Sequence, residues 1–243
     1  MDSALVKRLL ELNRNFYAEF SADFSGSRSG ERLNLEPFQK YLANDIRLLD
    51  AGCGNGRLAD ALERANFALN YFGVDGSAEL IAFAEKNCAA LQRVRAQFRV
   101  ADLTQSRWHD ALRDAAPFDV IASLAVLHHI PSFDLRAQVL RALHTLLKPR
   151  GILVLSNWQF LNNDRLRKKI VAWENVNIDA ALLEANDYLL DWKRGGVGYR
   201  YVHLLDENEI ARLARASAFE IITQFYADAN LNLYSILQPQ FVF

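Results

Sequence analysis

The stretch Leu48-Leu49-Asp50-Ala51-Gly52-Cys53-Gly54-Asn55-Gly56-Arg57 constrains this chain more than any other. It begins as a short apolar run, Ile46-Arg47-Leu48-Leu49, bounded by turn residues and too short for a buried helix, which reads as a buried strand. Asp50 stands at the strand's end, glycines follow at alternate positions, and Leu58 to Arg64 opens a helix. Strand, glycine loop and helix make a cradle for a nucleotide-like ligand. Glycines reach positive φ and let the ligand approach the backbone, and the helix start offers unpaired N–H groups.

The spacing is G-x-G-x-G with an acid just before the first glycine. A pyrophosphate at a helix N-terminus disfavours a carboxylate there, whereas a ligand with an ammonium group favours one. The bland alternative is a βα turn with glycines kept for packing. Two acids downstream weigh against it. Tyr71-Phe72-Gly73-Val74-Asp75 reads as the second strand, followed by Gly76-Ser77 and a helix from Ala78 to about Gln92. In a doubly wound sheet an acid ending that strand lies beside the glycine loop and can accept both hydroxyls of a ribose. Asp75 could instead cap the helix, but Ser77 can do that. Phe98-Arg99-Val100-Ala101-Asp102-Leu103 reads as a third strand ending in an acid.

On these residues the sequence resembles the class I methyltransferases that use S-adenosylmethionine, over 46 to 238. The resemblance implies an α/β fold: a doubly wound, seven-stranded Rossmann-like sheet of order 3-2-1-4-5-7-6. It implies S-adenosylmethionine as cofactor, with its ammonium group near Asp50 and Gly52, its ribose on Asp75 and its adenine edge at Asp102. The cofactor set extends to Cys53, Gly54, Asn55, Gly56, Gly76, Ser77 and Leu103. After the fourth strand, Phe118 to Leu124, it adds Ser123, Leu124, Ala125 and His128, beside the reactive sulfonium. The pair His128-His129 also invites a metal or general-base reading. Adjacent histidines point in different directions and no acidic or cysteine partner has ligand spacing nearby. One is expected to line the pocket and the other to pack, with no metal bound.

Leu5, Leu9, Leu12 and Phe16 share a helical face, which predicts an amphipathic helix over 3 to 20, then a loop at Phe24 to Gly30 and a second helix over Leu33 to Ala43. Residues 1–45 are expected as a helical cap of one methyltransferase domain, 1–243. Leu135 to Leu147 reads as a helix and Ile152 to Trp158 as the fifth strand. Residues 159–203 then break the rhythm as an insertion on the substrate side. It carries a basic cluster, Arg165, Arg167, Lys168 and Lys169, on an expected helix, then Trp192-Lys193-Arg194-Gly195-Gly196 and Tyr199-Arg200-Tyr201-Val202-His203. A basic run is ordinarily a solvated face. Aromatics interleaved with cations can also stack on bases and bind anions. A helix capped by Asp206 and a closing antiparallel pair, Phe219 to Phe225 and Asn232 to Gln238, complete the sheet.

A narrower resemblance rests on Phe24-Ser25-x-Ser27-Arg28, the Ser-Leu-Ala-Val-Leu-His-His-Ile run at 123 to 130, Trp158, and Tyr199 to His203. These are similar to the tRNA wobble-uridine carboxymethyl methyltransferases. The likeness implies methylation of the carboxylate of 5-carboxymethyluridine, with Arg28, Arg200 and His203 as catalytic residues holding the anionic acceptor. It also raises a small zinc-binding activator subunit as a partner. The chain departs from that family where the Arg28 loop continues as Ser29-Gly30-Glu31. Two other readings stand beside it: a small-molecule methyltransferase using the insertion as a lid, and a non-catalytic S-adenosylmethionine-binding scaffold. A formal net charge of −1 gives no global signature for nucleic acid, so any tRNA contact must come from a local patch. Cys53 and Cys88 make neither a disulfide framework nor a metal spacing. No apolar run approaches membrane-spanning length and the N-terminus lacks a signal-peptide pattern, so the expected setting is cytoplasmic, with no membrane partner.

Overall fold

Apolar runs separated by glycine, proline and polar turns form the elements in chain order. The computed structural model describes residues 1–27, 33–193 and 195–240. Helix α1 (Ser3–Ser27) comes first and kinks at Phe20 (φ −110°, ψ 16°), so it runs past the stretch its apolar stripe predicts. The expected helix over 33 to 43 is instead irregular chain with a turn at 36–38 and one 3-10 turn, Gln39–Tyr41. Pro37 has no N–H to give a helix and restricts Glu36 before it, and Asn34 Oδ1 accepts the Glu36 N–H at 3.1 Å to make a local turn. Leu35, Phe38 and Leu42 in this segment are buried all the same.

Parallel strands β1 (Arg47–Ala51), β2 (Asn70–Asp75), β3 (Arg95–Val100), β4 (Phe118–Leu124) and β5 (Leu147–Trp158) alternate with helices α2 (Arg57–Arg64), α3 (Ala78–Cys88) and α4 (Phe133–Leu146). β1 shows why the sheet needs helices on both faces. Leu48 and Leu49 point to opposite sides and both are fully buried, Leu48 against Leu58 and Leu62, Leu49 against Leu140 and Leu143. Ser77 caps α3 by accepting the Leu80 N–H at 3.2 Å.

Beyond β5 lie α5 (Asp164–Arg167), β6 (Ile170–Val171), β7 (Asp187–Trp192) and β8 (Gly198–His203). The last three form a separate antiparallel sheet of order β6-β7-β8. The basic cluster thus has only one helical turn; Arg165 and Arg167 stand on it, and Lys168 and Lys169 follow. Helix α6 (Glu207–Ala216) is capped by Asp206, which accepts the Glu209 N–H at 2.7 Å. Strands β9 (Phe219–Ala227) and β10 (Asn232–Pro239) close the main sheet antiparallel, giving the order β3-β2-β1-β4-β5-β10-β9. That is the seven-stranded arrangement the sequence implied. Among the described residues no helix is long and apolar enough to cross a membrane.

The small sheet is held from two sides. Helix α1 packs Leu5 and Leu9 on Trp173, Leu189 and Tyr201, and Phe16 and Phe20 on Trp192. Gly198 permits that approach, since a Cβ there would stand 2.5 Å from Phe20. From the body, Arg136 on α4 is fully buried and donates to Glu209 on α6 at 2.8 Å and to Glu184, ahead of β7, at 2.5 Å. His203 on β8 joins the same cluster, with Nδ1 2.6 Å from Asp187 and Nε2 2.8 Å from Glu209. Tyr201 donates its O–H to Asp187 at 2.7 Å. Burial by itself lowers the His203 pKa, but the two carboxylates outweigh it and hold the ring above its ordinary value.

Arg136→Ala strands two carboxylates in the interior and is expected to cost about 3–5 kcal/mol of stability, read from the urea midpoint. The pH dependence follows from His203. Its contribution is complete below the ordinary histidine pKa of 6.5 and disappears as pH rises through the raised folded value. Unfolding free energy should therefore fall on the alkaline side in the native chain, and His203→Gln should lack that step.

Candidate cofactor and acceptor site

The loop between β1 and α2 depends on glycine at two positions. Gly52 has φ +90°, and a Cβ there would fall 2.3 Å from Val126 Cγ2. Gly56 has φ +83°, and its Cβ would meet Cys88 Sγ at 2.8 Å. The N–H groups of Gly52 and Cys53 both donate to the Val74 carbonyl, at 2.8 and 2.9 Å, which ties the loop to the end of β2. There Asp75 accepts from Gly54 N at 3.0 Å and from Ser77 N at 2.9 Å, and burial pushes its carboxyl up. Asp102 is oriented by Thr104, whose N–H and hydroxyl donate to it at 2.9 and 2.6 Å. Asp50 is buried and accepts a hydrogen bond from the Tyr71 hydroxyl at 2.6 Å. Desolvation raises its pKa to about 7 against that hydrogen bond, with the charge of Asp75 adding to the rise.

These acids open on one cavity of about 420 Å³. It lies at the carboxyl ends of the strands, where β1 has β2 on one side and β4 on the other, the position at which doubly wound sheets take ligands. Of the residues the sequence nominates, Asp50, Gly52, Cys53, Gly54, Asn55, Asp75, Gly76, Ser77, Asp102, Leu103, Leu124 and Ala125 line it.

Others do not. Gly56 packs the loop on α3 instead, and Ser123 is buried within β4. The two histidines exchange the roles the sequence suggests. His128 is buried, stacks on Trp158 (5.8 Å, 14°) and accepts the Trp158 N–H, while His129 lines the cavity. They sit in a 3-10 turn, Leu127–His129, whose orientation no sequence period reveals. His203 is also corrected, because both its ring nitrogens face carboxylates of the buried cluster rather than the cavity. The donor atoms of Glu184, His203 and Glu209 lie within 4.8 Å of one another, a spacing a cation could use, and the Arg136 guanidinium already bonds both carboxylates there. Arg28 lies outside the described residues.

Arg200 is 3% exposed and stands behind the cavity wall rather than on it. Its guanidinium lies 5.3, 5.0 and 5.6 Å from the ring centroids of Phe16, Trp158 and Trp192. Burial lowers its pKa, and a hydrogen bond with Tyr17 opposes the shift. Among the described residues no carboxylate makes an ion pair with it.

The sequence placed α1 in a helical cap but named none of the residues with which it lines the cavity, Leu10, Asn13, Arg14, Tyr17 and Ala18. One signal was present: Asn13 is a polar residue inside the stripe Leu5, Leu9, Phe16. Its amide accepts from Tyr201 N at 2.8 Å and donates to the Tyr201 and His129 carbonyls, both at 3.1 Å.

The chemistry of this donor set fits S-adenosylmethionine. Asp50, Asp75 and Asp102 suit an ammonium group, ribose hydroxyls and an adenine amino group, Arg14 and Arg57 on the same wall suit a carboxylate, and the cradle at Gly52 has no room for a Cβ.

Comparison with known proteins agrees. A family profile described as "Methyltransferase domain" matches residues 24–224. The chain is 30% identical over 112 residues to a ubiquinone biosynthesis O-methyltransferase of Colwellia psychrerythraea, covering 46% of this chain and 42% of that protein. It is 27% identical over 157 residues to the tRNA (carboxymethyluridine(34)-5-O)-methyltransferase of Arabidopsis thaliana, covering 63% of this chain and 35% of that one. The matched stretch spans less than half the length of either relative. Among solved structures, an S-adenosylmethionine-dependent methyltransferase of Methanosarcina mazei superposes with a TM-score of 0.64 at 22% identity, over 85% of this chain and 98% of that chain.

Asp75→Ala is expected to weaken S-adenosylmethionine binding by about 2 kcal/mol, the loss of a charge-assisted contact, measured by calorimetric titration. The Asp50 pKa of about 7 adds a pH dependence. A cationic group favours the ionised carboxyl, so affinity should rise from pH 6 to pH 8 and then level off, a trend Asp50→Asn should lack.

Proposed function

The chain belongs to the methyltransferase-domain family, and from that premise we propose that it esterifies the carboxylate of 5-carboxymethyluridine at the wobble position of tRNA. Membership of that family and the fit of the site to S-adenosylmethionine favour catalysis over the scaffold reading. In this reading Asp50 faces the cofactor's ammonium group, Asp75 the ribose and Asp102 the adenine edge. Residues 1–45 and 159–203 act as parts of one domain that flank the acceptor's entry.

The observation that carries the carboxylate reading is Arg200. A buried cation without an anionic partner is costly, and proteins keep one where a function needs it. Among the described residues aromatic rings, rather than a carboxylate, surround the guanidinium beside the cavity, which leaves its positive field for an anionic acceptor. The similarity to the Arabidopsis enzyme supports the same reading. So does the exposed basic group of Arg165, Arg167, Lys168 and Lys193 on the insertion, although Arg167 and Lys193 are in part neutralised by Asp164 and Asp191.

Bound cofactor supplies an electrophilic methyl group on a sulfonium leaving group. The chain's own residues align the acceptor oxygen with that group and exclude water. A carboxylate acceptor is ionised at neutral pH and needs no base.

A second reading, a small hydroxylated acceptor, is favoured by His129. A hydroxyl must lose a proton, and His129 is a base on the cavity wall. The similarity to the Colwellia enzyme supports it.

The test is methyl transfer from labelled S-adenosylmethionine to tRNA bearing 5-carboxymethyluridine, with and without a candidate small activator subunit, beside a panel of phenols. The expected product is the wobble-uridine methyl ester, identified by nucleoside mass spectrometry. A labelled phenol ether with unmodified tRNA would replace the first reading by the second.

A further inference from the structure

Tyr17 and His129 share the cavity wall, and their hydrogen bonds have a fixed direction. His129 Nδ1 lies 3.3 Å from the Tyr201 carbonyl oxygen. A carbonyl can only accept, so Nδ1 carries a proton, and in the neutral imidazole Nε2 is then the acceptor. The Tyr17 hydroxyl, 3.1 Å from Nε2, therefore donates to it. The Arg200 guanidinium, which can only donate, interacts with the same tyrosine and lies 5.3 Å from the ring centroid of the neighbouring Phe16. Each group thus hands a hydrogen to the next, from Arg200 to Tyr17 to His129 to Tyr201.

We propose that Tyr17 is the residue that meets the acceptor carboxylate, donating its O–H to the carboxylate oxygen that is not methylated, with Arg200 as the positioning residue behind it. This rests on the carboxylate reading given above. The physical reason is the fate of the charge. As the ester forms, the carboxylate's charge disappears. A direct guanidinium pair would therefore stabilise the ground state more than the transition state and slow attack. A neutral phenol polarised by a cation at its back orients the acceptor with less of that penalty. The Tyr17 ring need not move to do so. It is fixed edge-on to Phe16 (5.2 Å, 83°) and to His129 (5.8 Å, 82°), and rotation of the hydroxyl alone takes the proton from Nε2 to the acceptor. The attacking carboxylate oxygen forms the new C–O bond, the methyl–sulfur bond breaks with its electron pair on sulfur, and no proton leaves the acceptor. Tyr17 keeps its hydrogen throughout.

Tyr17→Phe removes the hydroxyl and keeps the ring. Three measurements on this variant and the native chain test the proposal. Calorimetric S-adenosylmethionine affinity should stay within about twofold, and kcat/KM for tRNA bearing 5-carboxymethyluridine should fall about 10- to 100-fold, the range for a hydrogen bond to a charged group. Nitrogen-15 NMR of labelled histidines should show the His129 Nε2 signal displaced in Tyr17→Phe. The 5-carboxymethyluridine nucleoside at saturation should displace it in the same direction in the native chain, because the hydroxyl has turned to the acceptor. A merely structural tyrosine would not give that second shift. Native kcat/KM in Tyr17→Phe, a loss of cofactor affinity that accounts for the lost rate, or an Nε2 signal unmoved by the nucleoside each overturns the assignment of Tyr17 alone. Failure of the native chain to methylate the carboxylate overturns the functional reading and this inference with it.

Discussion

The amide of Asn13 is the contact on which the site depends. It takes both backbone groups of Tyr201 on β8 and the carbonyl of His129 after β4, so three distant stretches of chain meet at one buried side chain. A buried amide is costly unless its hydrogen bonds are made, and these are made. With Asn13 in place, α1 lies in one rotation about its axis. Tyr17, one helical turn on, then faces the cavity, and Phe16 turns toward Arg200 and Trp192. The Rossmann-like sheet supplies one part of the cavity lining and α1, held to the small sheet, supplies another.

Two buried arginines show how differently one interior can treat a charge. Arg136 is bonded to Glu184, Glu209 and the Ile130 carbonyl, and its cluster takes in His203 and Asp187. It is an internal joint between the helical layer and the small sheet. Among the described residues Arg200 has three aromatic rings and one phenol in place of carboxylates. The first arrangement satisfies its charges and fixes geometry. The second leaves positive potential beside a cavity that is also lined by three aspartates.

The sequence by itself determined the main sheet, its strand order by resemblance, the glycine loop, and the strand-end acids Asp50, Asp75 and Asp102 that line the cavity. The reason is locality. A buried parallel strand announces itself as an apolar run, positive φ needs glycine, and an acid at a strand's end is carried to the mouth by the strand itself. Ser77 and Asp206 as helix caps were legible on the same ground, since a cap bonds only two or three residues away. What the tertiary structure alone decided involves residues far apart in the chain. Which of His128 and His129 faces the cavity follows from a single 3-10 turn seated against Trp158. That His203 joins Asp187 and Glu209 while Arg200 lies among Phe16, Trp158 and Trp192 follows from the pairing of β8 with β7 and the docking of α1. Alternate residues on a strand face opposite ways, but only the partners packed on each face decide which charge is neutralised and which is left for a ligand.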